Sequence, residues 1–383
     1  MPADQYNGWE VIRPLGEGGQ SKVFLVRSPS RVAKRKQAQS RVGDLIGGVP
    51  NTALLLENIS EYIREDAPNE LGALKVFDKI RRSGAPPEER IRREMEILSA
   101  GHASLPKLLE GDLTGKWMVT EYFPAGTLDS SPERFKGDAP GALRAFRPLV
   151  ETVSQLHPHL IVHRDIKPSN VFVGTNGLLV LGDFGIAFRD EGATRVTVTH
   201  ERVGPWDYMP QWGDTGERLD EVKPSFDIYM LGKLLWCMVS GRLRLPREYH
   251  RLPEFDLSKL FPNDRRMHAI NSLLDKCVVE HESACIQSAT ELLALIDDTL
   301  AMIDRGLVMN EKGEILLPCL VCGRGFYIEE TSDGRVELIR KDNRHQLLQP
   351  IFLRSFCCNV CTHRAFFAPG FPDEAQRRKW IRL

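Results

Sequence analysis

The 383-residue sequence has no excess of either charge: 51 lysines and arginines stand against 52 aspartates and glutamates, a net charge of −1. No global field therefore draws the chain onto nucleic acid or an anionic membrane surface. Long apolar runs are also missing. A membrane helix needs roughly 20 apolar residues, and the longest candidate, 231–239, is interrupted by Lys233. The opening MPADQYNGWE lacks the basic-then-apolar pattern of a secretory signal. No internal repeat is visible. What is present is 42% hydrophobic content, enough for real cores, on a length that suits one large two-lobed domain or two to three ordinary ones. These features predict a cytoplasmic protein without a membrane segment.

The most informative stretch is His163 to Asn170, HRDIKPSN. Asp165 can accept a proton from a hydroxyl, Lys167 can neutralise a phosphoryl group, and Asn170 can hold a divalent metal. Those are the parts that phosphoryl transfer needs. Upstream, alternating apolar residues (Val11, Leu15; Val23, Leu25) predict two strands around Gly16-Glu17-Gly18-Gly19-Gln20-Ser21. Glycines there let backbone N–H groups approach phosphate oxygens. A lysine on the following strand has two candidates. Lys34 lies in the basic run RVAKRK, whereas Lys75 in ALKVF is flanked by apolar residues on both sides, and Lys75 is preferred. That choice implies an insertion over 28–72. Within it Thr52, Leu55, Leu56, Ile59, Tyr62 and Ile63 share one helical face, an extra helix packed on the first lobe or a partner-binding element. Residues 86–100 predict a helix carrying Glu94, 105–108 a strand, and 117–123 a strand running into a turn at 124–126. Asp183-Phe184-Gly185 follows an apolar strand over 178–181, and an aspartate so placed can bind Mg²⁺.

In this order the motifs resemble the eukaryotic-type serine/threonine protein kinase family over residues 9–304. The resemblance implies an α+β bilobal fold over 1–305: a small β-rich N-lobe to about 123, carrying the 28–72 insertion, and a helical C-lobe over about 124–305. It implies ATP and Mg²⁺ as ligands. Leu15, Gly16, Gly18, Gly19 and Val23 would cover the nucleotide, and Ala73, Thr120 and Phe172 would line its site. The backbone of Glu121 and Phe123 would bond adenine. Lys75 paired with Glu94 would align the phosphates, Asp165 would be the base, Lys167 would stabilise transferred charge, and Asn170 and Asp183 would hold Mg²⁺. Lys167 places the loop in the branch that acts on protein serine and threonine. Arg164 often receives a phosphate in this family, so autophosphorylation is expected at Thr194, Thr197 or Thr199. A pseudokinase-like scaffold is the alternative, as is a small-molecule phosphotransferase of the same fold. The retained lysine, base and metal aspartate argue against the first, and the KPSN loop with its extended segment against the second.

Four positions depart from the family pattern: Ser21 at the third glycine, Gly204 where a threonine is common, Gln211 where a glutamate closes the segment, and Cys285 where its arginine partner stands. Losing one member of a buried pair leaves an uncompensated charge, at several kcal/mol. Losing both avoids that penalty, so altered packing and altered substrate docking are expected. Asp227, at the start of a helix over 226–235, is either an N-cap or the family's aspartate that holds the HRD backbone.

Cysteine is clustered. Cys237, Cys277 and Cys285 are scattered, but Cys319, Cys322, Cys357, Cys358 and Cys361 fall in the last part of the chain. CxxC pairs without a secretory signal favour metal over disulfides. Cys319, Cys322, Cys358 and Cys361 supply four thiolates for a tetrahedral Zn²⁺ site with Zn–S near ~2.3 Å. Cys357, His345 and His363 are alternatives. Strands at 326–329 and 335–340 about Ser332-Asp333-Gly334 predict a hairpin, so 306–383 resembles a zinc ribbon. Its basic end, RRKWIR, is short. A structural role or a protein partner, through this module or the 28–72 insertion, fits better than nucleic acid.

Overall fold

The computed structural model describes residues 6–17, 21–30, 70–77, 87–184, 188–189, 208–213, 223–318, 321–322, 327–329, 335–338 and 351–367. Alternating apolar residues build β1 (Glu10–Glu17), β2 (Lys22–Arg27) and β3 (Leu71–Val76), which join β4 (Leu108–Asp112) and β5 (Trp117–Glu121) in an antiparallel sheet ordered β1-β2-β3-β5-β4. The strand expected at 105–108 begins only at Leu108, because Pro106 has no N–H to give to a ladder. The register sets Val23 and Met118 opposite Lys75, and Thr120 opposite Ala73, so these side chains share one face. The other face carries Val26, Leu74, Trp117 and Val119 and is closed by Tyr6 and Trp9. A side chain at Gly72 would bring a Cβ to 2.5 Å from Val119, so glycine lets the strands pack there. The predicted helix within 28–72 lies outside the described residues.

Helix α1 (Pro87–Ser99) turns Ile91, Ile97 and Leu98 inward and buries Glu94 with them. The second lobe is helical: α2 (Ala139–Leu156), α3 (Ser225–Ser240), the short α4 (Leu257–Leu260), α5 (Met267–Cys277) and α6 (Ala289–Asp304). Asp138 caps α2 by accepting from Gly141 N. Arg147 forks onto Asp297, Nε to Oδ1 at 2.6 Å and Nη2 to Oδ2 at 3.0 Å, tying α2 to α6. Every residue of α3 is buried, and the helix ends at Gly241 with φ +72°, a conformation glycine adopts at little cost. Between α2 and α3 run β6 (Ile161–Val162), the hairpin β7 (Val171–Val173) with β8 (Leu179–Leu181), and β9 (Phe188–Arg189), which pairs with β6. The bilobal expectation therefore holds for the described residues.

Past α6, β10 (Val308–Met309) and β11 (Ile315–Leu316) form a hairpin. A second sheet holds β12 (Tyr327–Glu329), β13 (Arg335–Leu338), β14 (Ile351–Cys358) and β15 (Arg364–Phe367). The expected β12–β13 hairpin is not formed. Both strands pair instead with β14, as does β15. The eight-residue β14 offers a longer row of backbone partners than a three- or four-residue neighbour could.

Candidate active site

The sheet face bearing Lys75 looks onto α1 and onto the loop after β8. Lys75 Nζ donates to Glu94 Oε1 and Oε2 at 2.8 and 2.9 Å, and to Asp183 Oδ1 at 2.9 Å. Burial works against the charge on Lys75, but the Asp183 and Glu94 carboxylates outweigh it and hold the ammonium above the ordinary lysine range. The same ammonium pulls Asp183 down to about 2. Burial raises Glu94, although Lys75 and the Phe184 N–H oppose that shift. Lys75 thus has a bidentate partner in Glu94. Lys34 lies outside the described residues.

The loop between β6 and β7 holds the second cluster. Lys167 Nζ donates to both Asp165 carboxylate oxygens, at 2.9 and 2.8 Å. Asn170 Nδ2 donates to Asp165 Oδ2 at 2.9 Å and to the Asp165 carbonyl at 2.8 Å. Asn170 lies beside the strand end that carries Asp183, since Gly182 N bonds the Asn170 carbonyl at 2.9 Å, and its amide oxygen could serve as a ligand atom. Amide oxygen and carboxylate are the oxygen donors that suit Mg²⁺, so the residues present fit that ion.

Asp227 holds the backbone of this loop. Its carboxylate accepts from the His163 N–H at 2.8 Å and the Arg164 N–H at 2.9 Å, and meets His157 Nε2 at 3.0 Å. It is not the N-cap of α3; that position is Pro224. Burial alone would raise Asp227, but the His157 bond and the neighbouring positive groups outweigh it and hold the carboxyl below its ordinary range. The His163 ring stands edge-on to Phe184 with centroids 4.5 Å apart. Its Nε2 donates to Gly182 O at 3.0 Å, while Nδ1 accepts from Asp165 N at 3.2 Å. Two struts were not foreseen: His157 ties the end of α2 to Asp227, and the His163 ring ties the HRD loop to Gly182.

Among the residues expected to line the nucleotide site, Val23, Ala73, Lys75 and Thr120 share the inner sheet face. Leu15 sits at an irregularity between Pro14 and Gly16 where β1 bends. Phe172 stacks on Phe123 at 5.1 Å and 17°, forming an aromatic floor beside the β5 exit. The Glu121 N–H is bonded to Lys107 O and the Phe123 carbonyl accepts from Gly126 N. Gly18, Gly19, Gly204 and the three segment threonines lie outside the described residues.

At the segment's end, Cys285 is buried, and burial pushes its thiol up to about 12. Its Sγ–H reaches Cys277 O at 3.4 Å. With its amide oxygen towards Arg247, Gln211 accepts from Arg247 Nε at 3.1 Å and Nη1 at 2.6 Å. Arg247, 36 residues along the chain, gave no sequence signal.

In the tail, the sulfurs of Cys322, Cys358 and Cys361 lie within 4.8 Å of one another. The Val360 and Cys361 N–H groups both point at Cys358 Sγ, at 3.4 Å. Cys357 Sγ faces the Thr362 and Cys358 carbonyls instead, and His363 Nδ1 meets Tyr327 OH at 3.0 Å. Neither Cys357 nor His363 belongs to the group of three sulfurs. Cys319 and His345 lie outside the described residues.

A five-stranded sheet over a helical lobe, with a Lys–Glu–Asp triangle above an Asp–Lys–Asn loop, is the architecture of the protein kinases. The chain belongs to that family: the model of the protein kinase domain matches residues 61–302, well over half of its length. The chain is 29% identical over 258 residues to "Aurora kinase A-A" of Xenopus laevis, covering 66% of this chain and 52% of that protein. It is 27% identical over 201 residues to "Serine/threonine-protein kinase TOS3" of Saccharomyces cerevisiae, covering 45% and 36%. It is 28% identical over 241 residues to "Probable serine/threonine-protein kinase PkwA" of Thermomonospora curvata, covering 61% and 26%. The chain spans about half the length or less of these curated relatives.

Proposed function

We propose that the chain is a serine/threonine protein kinase that transfers the γ-phosphate of ATP to protein hydroxyls. The observation that carries this reading is the Lys75 ammonium bonded to Glu94 and Asp183, set with an Asp165 carboxylate held by Lys167 and Asn170. Lys75 orients the α- and β-phosphates. Asp165 accepts the proton of the incoming hydroxyl as its oxygen forms a bond to the γ-phosphorus and the bond to the β-phosphate oxygen breaks. Lys167, beside Asp165, meets the charge that moves. Asn170 and Asp183 hold Mg²⁺, which when bound neutralises phosphate charge. Catalysis is then mostly positioning and electrostatics.

The kinase domain runs over 1–305 and phosphorylates itself at Thr194, Thr197 or Thr199, where Arg164 supplies a phosphate partner. Residues 306–383 form a zinc-ribbon-like module. Two sulfurs each ~2.3 Å from one tetrahedral ion stand about 3.8 Å apart, and Cys322 Sγ and Cys358 Sγ are 3.7 Å apart. A disulfide would bring them to ~2.0 Å. Thiolates on one Zn²⁺ therefore fit this cluster, with Cys319 completing the CxxC pair in sequence. The thiol-rich tail suits a reducing cytoplasm, and the module or the 28–72 insertion is the surface for a protein partner.

The test is incubation with Mg²⁺ and labelled ATP, with and without a generic protein substrate, followed by phosphosite mapping. Phosphoserine or phosphothreonine on the substrate supports the reading, and no transfer under any condition sinks it. Elemental analysis should find about one zinc per chain, lost in Cys358→Ser.

A further inference from the structure

The family pattern expects a glutamate–arginine pair to fasten the end of the segment before α3, and the sequence has Gln211 and Cys285 at those two places. The structure fastens the same point from a different side. Residues 241–248, the loop leaving α3, run past residues 208–213 and are bonded at several positions. The Tyr208 hydroxyl donates to the Leu243 carbonyl. The buried Lys233 of α3 donates to the Leu245 carbonyl at 2.8 Å, with its ammonium 5.3 Å from the Tyr229 ring centroid. The Tyr229 hydroxyl donates to Glu248 Oε1 at 2.7 Å. Arg247, between these ties, has φ +41°, a left-handed conformation that a non-glycine residue adopts only when its surroundings hold it. In that conformation its guanidinium faces the Gln211 side-chain amide, whose oxygen, turned towards it, accepts from Nε and Nη1. Trp212, the next residue, lies edge-on to Phe226 and Tyr229 at 5.0 and 6.2 Å, which seats the short turn on α3.

We infer that Arg247 is a positioning residue for protein-substrate docking, holding the end of the segment through Gln211 in place of the acid–arginine pair this chain lacks. The geometry explains why the two substitutions coexist. A buried cysteine at 285 leaves no charge needing a glutamate at 211. A neutral amide oxygen accepts both guanidinium N–H groups of an exposed arginine, and no buried ion pair is needed. Glu248, the nearest acid in sequence, accepts from the Tyr229 hydroxyl, and the fork of Arg247 is turned to the amide. The inference rests on the reading that this chain docks a protein substrate.

The test compares the full chain with Arg247→Met, Gln211→Leu, Gln211→Glu and the Arg247→Met/Gln211→Leu double variant, using myelin basic protein as the acceptor. Arg247→Met and Gln211→Leu should each lower kcat/KM for the protein about five- to tenfold, chiefly through KM, with KM for ATP within about twofold. The double variant should be no worse than either single one. Gln211→Glu should keep wild-type kcat/KM, because a carboxylate still accepts from the fork. Amide exchange over 208–213 should quicken in Arg247→Met but not in Gln211→Glu, and this readout needs no turnover. If the wild-type chain transfers no phosphate, the functional reading fails while the exchange result still judges the anchor. Unchanged exchange in Arg247→Met overturns the anchor. So does an equal loss for ATP and protein, which would mean general damage to the lobe.

Discussion

Asp183 takes a left-handed backbone, with φ +63°, at a cost of order 1–3 kcal/mol. That turn carries its carboxylate to Lys75. Because the folded carboxyl titrates at about 2, below the ordinary aspartate value near ~3.9, the ion pair adds stability above that value. The contribution is lost as pH falls from about 4 towards 2. Melting temperatures from pH 5 down to 2.5 should therefore fall less steeply in Asp183→Asn than in wild type. Asp275 is also pulled to about 2, by His250 and Arg251 against its burial, and it titrates in both proteins, so the difference isolates Asp183. Equal slopes would contradict the pair. Lys75→Met leaves Glu94 buried without its cation. It should lower stability, up to about 3–5 kcal/mol, less whatever Glu94 regains by taking up a proton, and this reads directly in a denaturant titration.

At the scale of elements, α3 is the frame. It is buried along its whole length, it carries the Asp227 that holds the HRD backbone, and it carries the Lys233 that holds the loop of Arg247. Leu231→Ala in its centre should cost about 2–5 kcal/mol in equilibrium unfolding; a loss well under 1 kcal/mol would mean that α3 is not packed as described. What could be read in the sequence follows the same division. The HRD loop, the Lys75 strand, the Glu94 helix and Asp183 were legible because each carries its chemistry within a few residues of a turn or a regular period. Partners far apart in sequence were not. Asp227 could be taken for a cap because the backbone it holds lies 64 positions away. The β12–β13 hairpin was inferred from a nearby turn signal, whereas the strands belong to β14 further on. Arg247 could not be found at all, since an arginine in an exposed loop carries no pattern.

For the whole molecule, two lobes meet where Lys75 and Asp183 touch, and further ties cross near that line. The Leu181 N–H bonds the Ser104 carbonyl at 2.8 Å, which fixes β8 to the turn after α1. Among the described residues, the core of the tail is Tyr327, Cys358 and their neighbours, and the zinc proposed above would staple it. Chelation of the protein should therefore melt the tail alone: a low-temperature transition should appear or shift, while that of the kinase lobes stays in place. A single transition unmoved by chelator would contradict a zinc staple.

The central claim is that Asp165, with Lys75 across from it, performs phosphoryl transfer. The most direct measurement is the rate of labelled phosphate transfer to protein by wild type and by Asp165→Asn, each shown by circular dichroism to be folded. The account predicts measurable transfer by the wild type and a loss of about 10²–10⁴-fold in the variant. A folded Asp165→Asn that transfers phosphate at the wild-type rate would contradict it.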